Sequence, residues 1–339
     1  MMILDLKDER WMRFLRSCPE ASPFHHPIWS NLLAECYGYR PHVLALNGES
    51  DQITAGLAVM DVSRSSKQRR WVSLPFTDYH PLLTLGQPAD LVAGELVNLV
   101  TSEKLDVFEL RAALPDQHHI FNQSGAVRHT LALTPNPDDT FQRFSKMHQR
   151  NIRKAERSGI NIKVGHSASD VQMYYRLHLL TRKRLGAPVQ PWRFFHLIAR
   201  NVVEEGLGFV LSAHANQVPV AAAVFLAWNG MLIYKYGASD PRFWKYRPNN
   251  LLFWTAIQWA CENGYHTLDW GRTDLDDAGL REFKRGWGST EEPLTYSVIA
   301  DHPPKPSSTL LYKAMRKVIR HSPPWVCRAI GECWYRYAA

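Results

Sequence analysis

Apolar residues in the first 140 positions fall into short strand-like runs broken by one longer helical stretch. "PHVLALNGESDQITAGLAVMDVS" holds two such runs around a polar turn, the pattern of a β-hairpin. "LPFTDYHPLL" is irregular, with two prolines and polar aromatics. A helical pattern near 88–103 leads to the strand-like "LDVFELRA" and to another strand near 125–133. From 137 the spacing changes. "NPDDTFQRFSKMHQRNIRKAERSG" reads as one helix, with Asp138 or Asp139 as N-cap and Gly159 as stop. A short strand over 160–164 precedes a helix opened by Ser167 and Asp170 in capping-box spacing and closed by Gly186. A further helix spans 191–205.

Three strand-like runs follow, "GFVLSAHA", "VPVAAAVFLAW" and "MLIYKYGAS", joined by Asn216-Gln217 and Asn229-Gly230. Asn-Gly between apolar runs is a strong hairpin signal, because both turn residues need positive φ. A helix over 250–263 stops at Gly264, and strand "HTLDWG", helix "AGLREFKRGW" and strand "PLTYSVI" complete the lobe. This order predicts a mixed α/β fold of α+β character, with antiparallel hairpins rather than a doubly wound sheet. The expected division is 1–136, 137–300 and, after the linker-like "DHPPKPSS", a helical tail over 301–339.

Composition narrows the partners. A chain of 339 residues, 45 % hydrophobic, can bury a substantial core, and its net charge of +8 permits anionic partners. The cysteines (Cys18, Cys36, Cys261, Cys327 and Cys333) show no C-x-x-C pair, which fits a reducing compartment. "MMILDLKDER" carries charges where a signal peptide would be apolar, and no run approaches a membrane span, so the expected location is cytoplasmic. The histidines are dispersed, and no metal site is expected.

Charge segregates most strongly in the 137–158 helix. On a helical wheel Phe141, Phe144, His148, Ile152 and Ala155 share one side. Arg143, Lys146, Arg150, Arg153, Lys154 and Arg157 gather within about 100° opposite. Cations crowded without interleaved acids repel one another. Two readings stand, a solvated face or an anionic ligand: a nucleotide-linked donor, a tRNA acceptor stem or a lipid pyrophosphate at a membrane. In the tail, Leu311, Met315 and Val318 oppose Lys313, Arg316, Lys317 and Arg320, and Trp325, Ile330, Trp334 and Tyr335 follow. Such helices either lie on anionic membranes or cap the protein's own core.

Three stretches together, "FHHPIWSNLLAECYG" (24–38), "MHQRNIRKAERSGI" (147–160) and "YKYGASD…NNLLFWTAIQWACENGYHTLDWGRTDLDDAGLREFKRGWG" (234–288), resemble the FemAB-like branch of the N-acetyltransferase (GNAT) fold. The resemblance implies two GNAT-like lobes, each a mostly antiparallel mixed sheet flanked by helices. It also implies acyl or aminoacyl transfer to an amine in cell-wall or exopolysaccharide assembly, from acyl-CoA or aminoacyl-tRNA as co-substrate, with no bound cofactor. The alternative is a non-catalytic GNAT-like module of an exopolysaccharide export complex. Two departures stand out. The Q/R-x-x-G-x-G/A phosphate loop of GNAT enzymes is replaced by "PRFWKYRPNNLLF", and no lysine follows Trp29, where Leu32, Leu33 and Ala34 stand.

Acyl transfer needs positioning and oxyanion stabilisation, which backbone N–H groups can supply. "YKYGASD", with Tyr236 and Gly237, is the candidate strand, although Gly237 could simply end it. The following helix N-terminus, with Arg242, Lys245, Arg247, Asn249 and Asn250, is the candidate anion site. Asp269 and Arg272 of "LDWGRTD" and Lys284 of the F-K pair complete the set. Lys284 is expected to contact substrate or to form an ordinary ion pair, and Asp269 to be a buried carboxylate. Tyr174, Tyr175 and His178 fit packing better than catalysis.

Overall fold

The structure is a computed structural model that describes residues 1–48, 51–64, 68–304 and 309–335, with side chains of the last stretch from Met315. The chain forms two units, Met1–Val127 with Glu292–Pro306, and Arg128–Glu291 with Ser307–Ala338. The exchange points fall at 127 and 291, against the expected limits of 136 and 300. They lie inside strands, where no turn residue marks them.

The first unit contains β1 (Met2–Leu4), α1 (Glu9–Ser17), α2 (Pro27–Tyr37), β2 (Arg40–Asn47), β3 (Ile53–Asp61), β4 (Arg70–Val72), β5 (Leu83–Thr84), α3 (Ala89–Ser102), β6 (Val107–Leu110) and the start of β7 (Ile120–Ala132). The expected hairpin is β2–β3, in register at Leu44↔Leu57. Both residues are buried with Phe108, Leu96 and Leu99 in one apolar cluster. Trp11 and Phe14 of α1 close over β3 at Gly56, where a Cβ would strike the Trp11 ring. The "LPFTDYHPLL" segment is strained: Leu74 and Phe76 hold φ of 117° and 59° without being glycine. It is tied to the "FHHPIW" stretch, since Trp29 donates to Thr77 Oγ1 at 3.0 Å and His25 Nε2 to the Pro81 carbonyl at 3.0 Å.

The second unit runs through α4 (Pro137–Gln142), α5 (Lys146–Arg157), β8 (Asn161–Gly165), α6 (Ala168–Leu185), α7 (Trp192–Ile198), β9 (Gly208–Ala215), β10 (Val218–Trp228), β11 (Met231–Ser239), α8 (Pro248–Glu262), β12 (Thr267–Asp274) and α9 (Ala278–Arg285). Strand β13 (Thr290–Ile299) returns the chain to the first unit and pairs antiparallel with β6, Ser297↔Leu110. The tail forms α10 (Thr309–His321) and α11 (Pro324–Trp334). Within the second unit the strands lie in the order β12-β11-β10-β9-β8, antiparallel except for β11–β12. The fold is the expected mixed α/β. The hairpin turns form as read, with positive φ at Asn216, Gln217, Asn229 and Gly230. The Ser167–Asp170 capping box closes in both directions, and Gly186 ends α6 at φ 72°.

Three local expectations are corrected. The single helix over 137–158 is two. Asn136, not Asp138 or Asp139, caps α4, and Ser145 caps α5 by accepting from His148 N. Arg143 sits in the break, where its guanidinium reaches the Ala132 carbonyl, so it is not part of the cationic face. In α10, Val318 is exposed and its neighbour Ile319 is fully buried, which rotates the apolar side away from the expected one. The "KPSS" of the linker and the side chains of Leu311 and Lys313 lie outside the described residues.

Candidate active site

Strands β11 and β12 pair in parallel from Met231↔Thr267 only to Ile233↔Asp269, while both run on, to Ser239 and Asp274. Two devices part them. The first lies on β11, where Val224 pairs with Tyr236 but Phe225 with Tyr234, leaving Lys235 as an extra residue. Such a bulge bends a strand and reverses its facing. Tyr234 therefore packs on Phe225, Phe253 and Trp270, whereas Tyr236, two positions on, turns to the opposite face among His178, Phe194 and Phe195. The Tyr234 hydroxyl occupies the space a Cβ would need at Gly237. That close approach, rather than a strand end, explains the glycine. Burial pushes the Tyr234 phenol up to about 12.

The second device is on β12. Gly271 takes φ 69°, and its N–H donates to Asp269 Oδ1 at 2.7 Å. The carbonyls of Trp270, Gly271 and Arg272 converge on Lys284 Nζ at 2.8, 3.0 and 3.1 Å. An ammonium has three N–H donors, and these three carbonyls match them. Lys284 is 3 % exposed, so its ammonium is desolvated and held by backbone dipoles. Asp269, equally buried, accepts from Arg128 Nε at 2.9 Å, with the guanidinium's second nitrogen also at 2.9 Å. Arg128 lies 141 residues away in sequence, and no local pattern marks it.

The helix α8 N-terminus joins this site through His148. Asn250 Nδ2 donates to His148 Nδ1 at 2.8 Å, and His148 Nε2 lies 2.9 Å from the Phe283 carbonyl. A carbonyl only accepts, which assigns the proton to Nε2. The ring stacks on Trp287 at 4.4 Å, and burial lowers its pKa. A neutral imidazole thus ties α5, α8 and the residue preceding Lys284. Asn250, 5 % exposed, spends an amide donor on this structural bond. Helix α9 is clamped from its other side by Glu291, which accepts from Arg281 at 2.7 and 3.1 Å. That bidentate pair holds the Glu291 carboxyl at about 2. His129 Nε2 also approaches Glu291, at 3.0 Å.

The remaining candidates lie on the surface. Arg272 pairs with Asp274 at 2.6 Å, Arg247 is exposed at φ 60°, and Asn249 is half-buried. Arg150, Arg153 and Lys154, with Lys146 and Arg157, are exposed along α5, and none has an ion pair among the described residues. Tyr174, His178 and Gln190 form a buried, satisfied chain at 2.8 and 2.9 Å, in keeping with packing.

A coenzyme A pyrophosphate would need a backbone cradle before α8. The residues there do not fit one. Pro241–Tyr246 is a 310 helix bearing Phe243, Trp244 and Tyr246, Pro248 has no N–H, and Asn250 N–H is spent on the Arg247 carbonyl. Among the described residues no cluster of three or more His, Cys, Asp or Glu could hold a metal ion. The first unit has a cleft of about 300 Å³ near Tyr79, Leu82, Leu114 and Pro293, whose only titratable lining group is a tyrosine.

Residues 142–285 match the acetyltransferase (GNAT) domain family. A lipid II:glycine glycyltransferase of Staphylococcus haemolyticus is 30 % identical over 86 residues, which is 24 % of this chain and 20 % of the relative. The chain thus aligns with about a fifth of that relative's length. Among solved structures, the crystal structure of FemX superposes with a TM-score of 0.71 at 14 % identity, covering 93 % of this chain and 100 % of the other. A tandem GNAT protein from the clavulanic acid biosynthesis pathway superposes at 0.52 and 9 % identity, covering 90 % and 99 %.

Proposed function

We propose that this chain, whose residues 142–285 match the acetyltransferase (GNAT) domain family, is a FemAB-like enzyme that transfers an aminoacyl group to an amine of a peptidoglycan precursor. The carrying observation is the parting of β11 from β12, whose pairing ends at Ile233↔Asp269 while both strands run on. Backbone N–H groups fixed at such a parting suit a developing oxyanion, because they need no reorganisation during reaction. The acceptor amine, once deprotonated, attacks the acyl carbon. The tetrahedral oxyanion rests there, and collapse expels the donor's oxygen, which takes up a proton. Tyr236, half-exposed just past the bulge, is the hydroxyl we assign to that relay: it gives its proton to the leaving oxygen and regains one from the attacking nitrogen. Lys284 and Asp269 act by holding β12 in place.

The donor we assign is an aminoacyl ester of tRNA rather than acyl-CoA. The pre-α8 segment lacks a pyrophosphate cradle, and the exposed α5 cations, with Arg247 and Asn249, offer side-chain contacts to a polyphosphate backbone. We assign the reaction to the cytoplasmic face of the membrane, in keeping with a lipid-linked acceptor such as the relative's name prints. A second reading has one observation in its favour. The saturated Lys284 leaves no donor for substrate, as in a binding module of an envelope polysaccharide complex.

The deciding experiment supplies total charged tRNA with labelled amino acids, or acyl-CoA, to purified protein with lipid-linked and nucleotide-linked muropeptide acceptors. Ribonuclease-sensitive transfer is expected. Transfer from acyl-CoA overturns the donor assignment, and binding without any transfer favours the module.

A further inference from the structure

The tail helices present two chemically different sides. On the inner side Ile319 and Cys327 are fully buried, Cys327 Sγ reaches the Ala187 carbonyl at 3.4 Å, and Tyr335 donates to the Pro188 carbonyl at 3.3 Å. Gly331 abuts the Val189 backbone so closely that a Cβ would collide. The tail is thus anchored, and its other side is fixed outward. There Trp325 is 69 % exposed, more than any other large hydrophobic side chain described, and Val318 is 52 % exposed. The two flank the turn between α10 and α11. Lys317, Arg320, His321 and Arg328 are exposed around them. Helix α10 contains no acid, and the single acid of α11, Glu332, is engaged with Trp192 N–H at 3.1 Å and Arg328 at 3.8 Å.

We infer that the α10–α11 turn docks the protein on an anionic bilayer, with Trp325 and Val318 inserted at the headgroup level and Lys317, Arg320 and Arg328 against lipid phosphates. Indole at an interface ringed by long cationic side chains is the pattern that membrane surfaces select. Charge complementarity is one-sided here, since neither tail helix carries an unengaged acid. A protein partner needs roughly 1,000 Å² of matched surface, which two side chains beside a turn do not provide. RNA would engage the cations but gain nothing from Val318. The inference rests on a lipid-linked acceptor, as proposed above, only for its purpose; the docking is measured separately.

The test is co-sedimentation with phosphatidylcholine vesicles, with and without phosphatidylglycerol. Wild type is expected to bind only the anionic vesicles. Trp325→Ser with Val318→Ser is expected to weaken binding at least tenfold, and Lys317→Gln about fivefold, from roughly 1 kcal/mol per interfacial charge. All keep the wild-type Tm, because the altered side chains are exposed. Failure of wild type to bind anionic vesicles overturns the inference. So does undiminished binding by the double variant, whether or not reversing Arg150, Arg153 and Lys154 abolishes it. Turnover of a water-soluble, nucleotide-linked acceptor separates the two ideas: tail variants keep it if the transferase reading holds, and its absence in wild type counts against that reading alone.

Discussion

Lys284 shows why a residue type does not disclose its role. In sequence it is a lysine after a phenylalanine, equally suited to a donor phosphate or a surface ion pair. In the fold it is a buried cation with three carbonyls, a role set by a turn of β12 that Gly271 alone makes possible. Lys284→Met is therefore expected to lower stability by about 2–4 kcal/mol, since three buried carbonyls lose their donor. Lys284→Arg should rescue little, because a planar fork cannot meet three converging carbonyls. Chemical denaturation checks both, and unchanged stability with lost turnover would restore direct substrate contact. The buried histidines yield a pH effect. Burial lowers the pKa of His148, of His25 to about 4 and of His178 to about 3. The unfolded chain then binds more protons below its imidazole pKa of about 6.5, so stability is full above that pH and falls as pH drops toward the folded values. Tm should decline steadily from pH 7 to 4.5, less steeply in His178→Gln.

At the scale of elements, local chemistry was legible where it is local. The two Asn-led hairpin turns, the Ser167–Asp170 box and the glycine stops act within a few residues, and all form where the pattern puts them. The break between α4 and α5 was not legible. Ser145 N–H bonds the Gly286 carbonyl, and the cap draws on a partner 141 positions away that no helical wheel contains. The Lys235 bulge was hidden for a similar reason: alternation puts Tyr234 and Tyr236 on one face, and only the pairing with β10 separates them. The cationic face of α5 was legible apart from Arg143. Its five remaining cations lie opposite buried His148, Ile152 and Ala155, so charge reversal at Arg150, Arg153 and Lys154 should change stability by less than about 0.5 kcal/mol. The same change should lower tRNA affinity and flatten its salt dependence, measured by filter binding between 50 and 200 mM salt.

For the whole molecule, neither unit is a continuous stretch of chain. The first needs β13, whose Ser297 hydroxyl donates to Asn122 Oδ1 and accepts from Leu114 N–H, and whose Tyr296 ring lies under Arg111. A fragment of residues 1–136 should accordingly fail to give dispersed amide resonances, and adding a peptide of residues 288–304 should recover them in part. Removing residues 307–339 should uncover the Ala187–Val189 backbone and lower Tm, a sign that the tail closes the body besides any surface role. The parted strands have a consequence of another kind. Strand β11 lies inside a sheet, where amide protons ordinarily persist for hours in deuterated water. Between Tyr234 and Ala238 the register of β11 with β12 has ended while both strands run on, so the β11–β12 ladder no longer holds the amides on that side. Those few protons should exchange at the pace of a surface loop amid slow neighbours, and a bound donor should bring them back to the sheet's own clock.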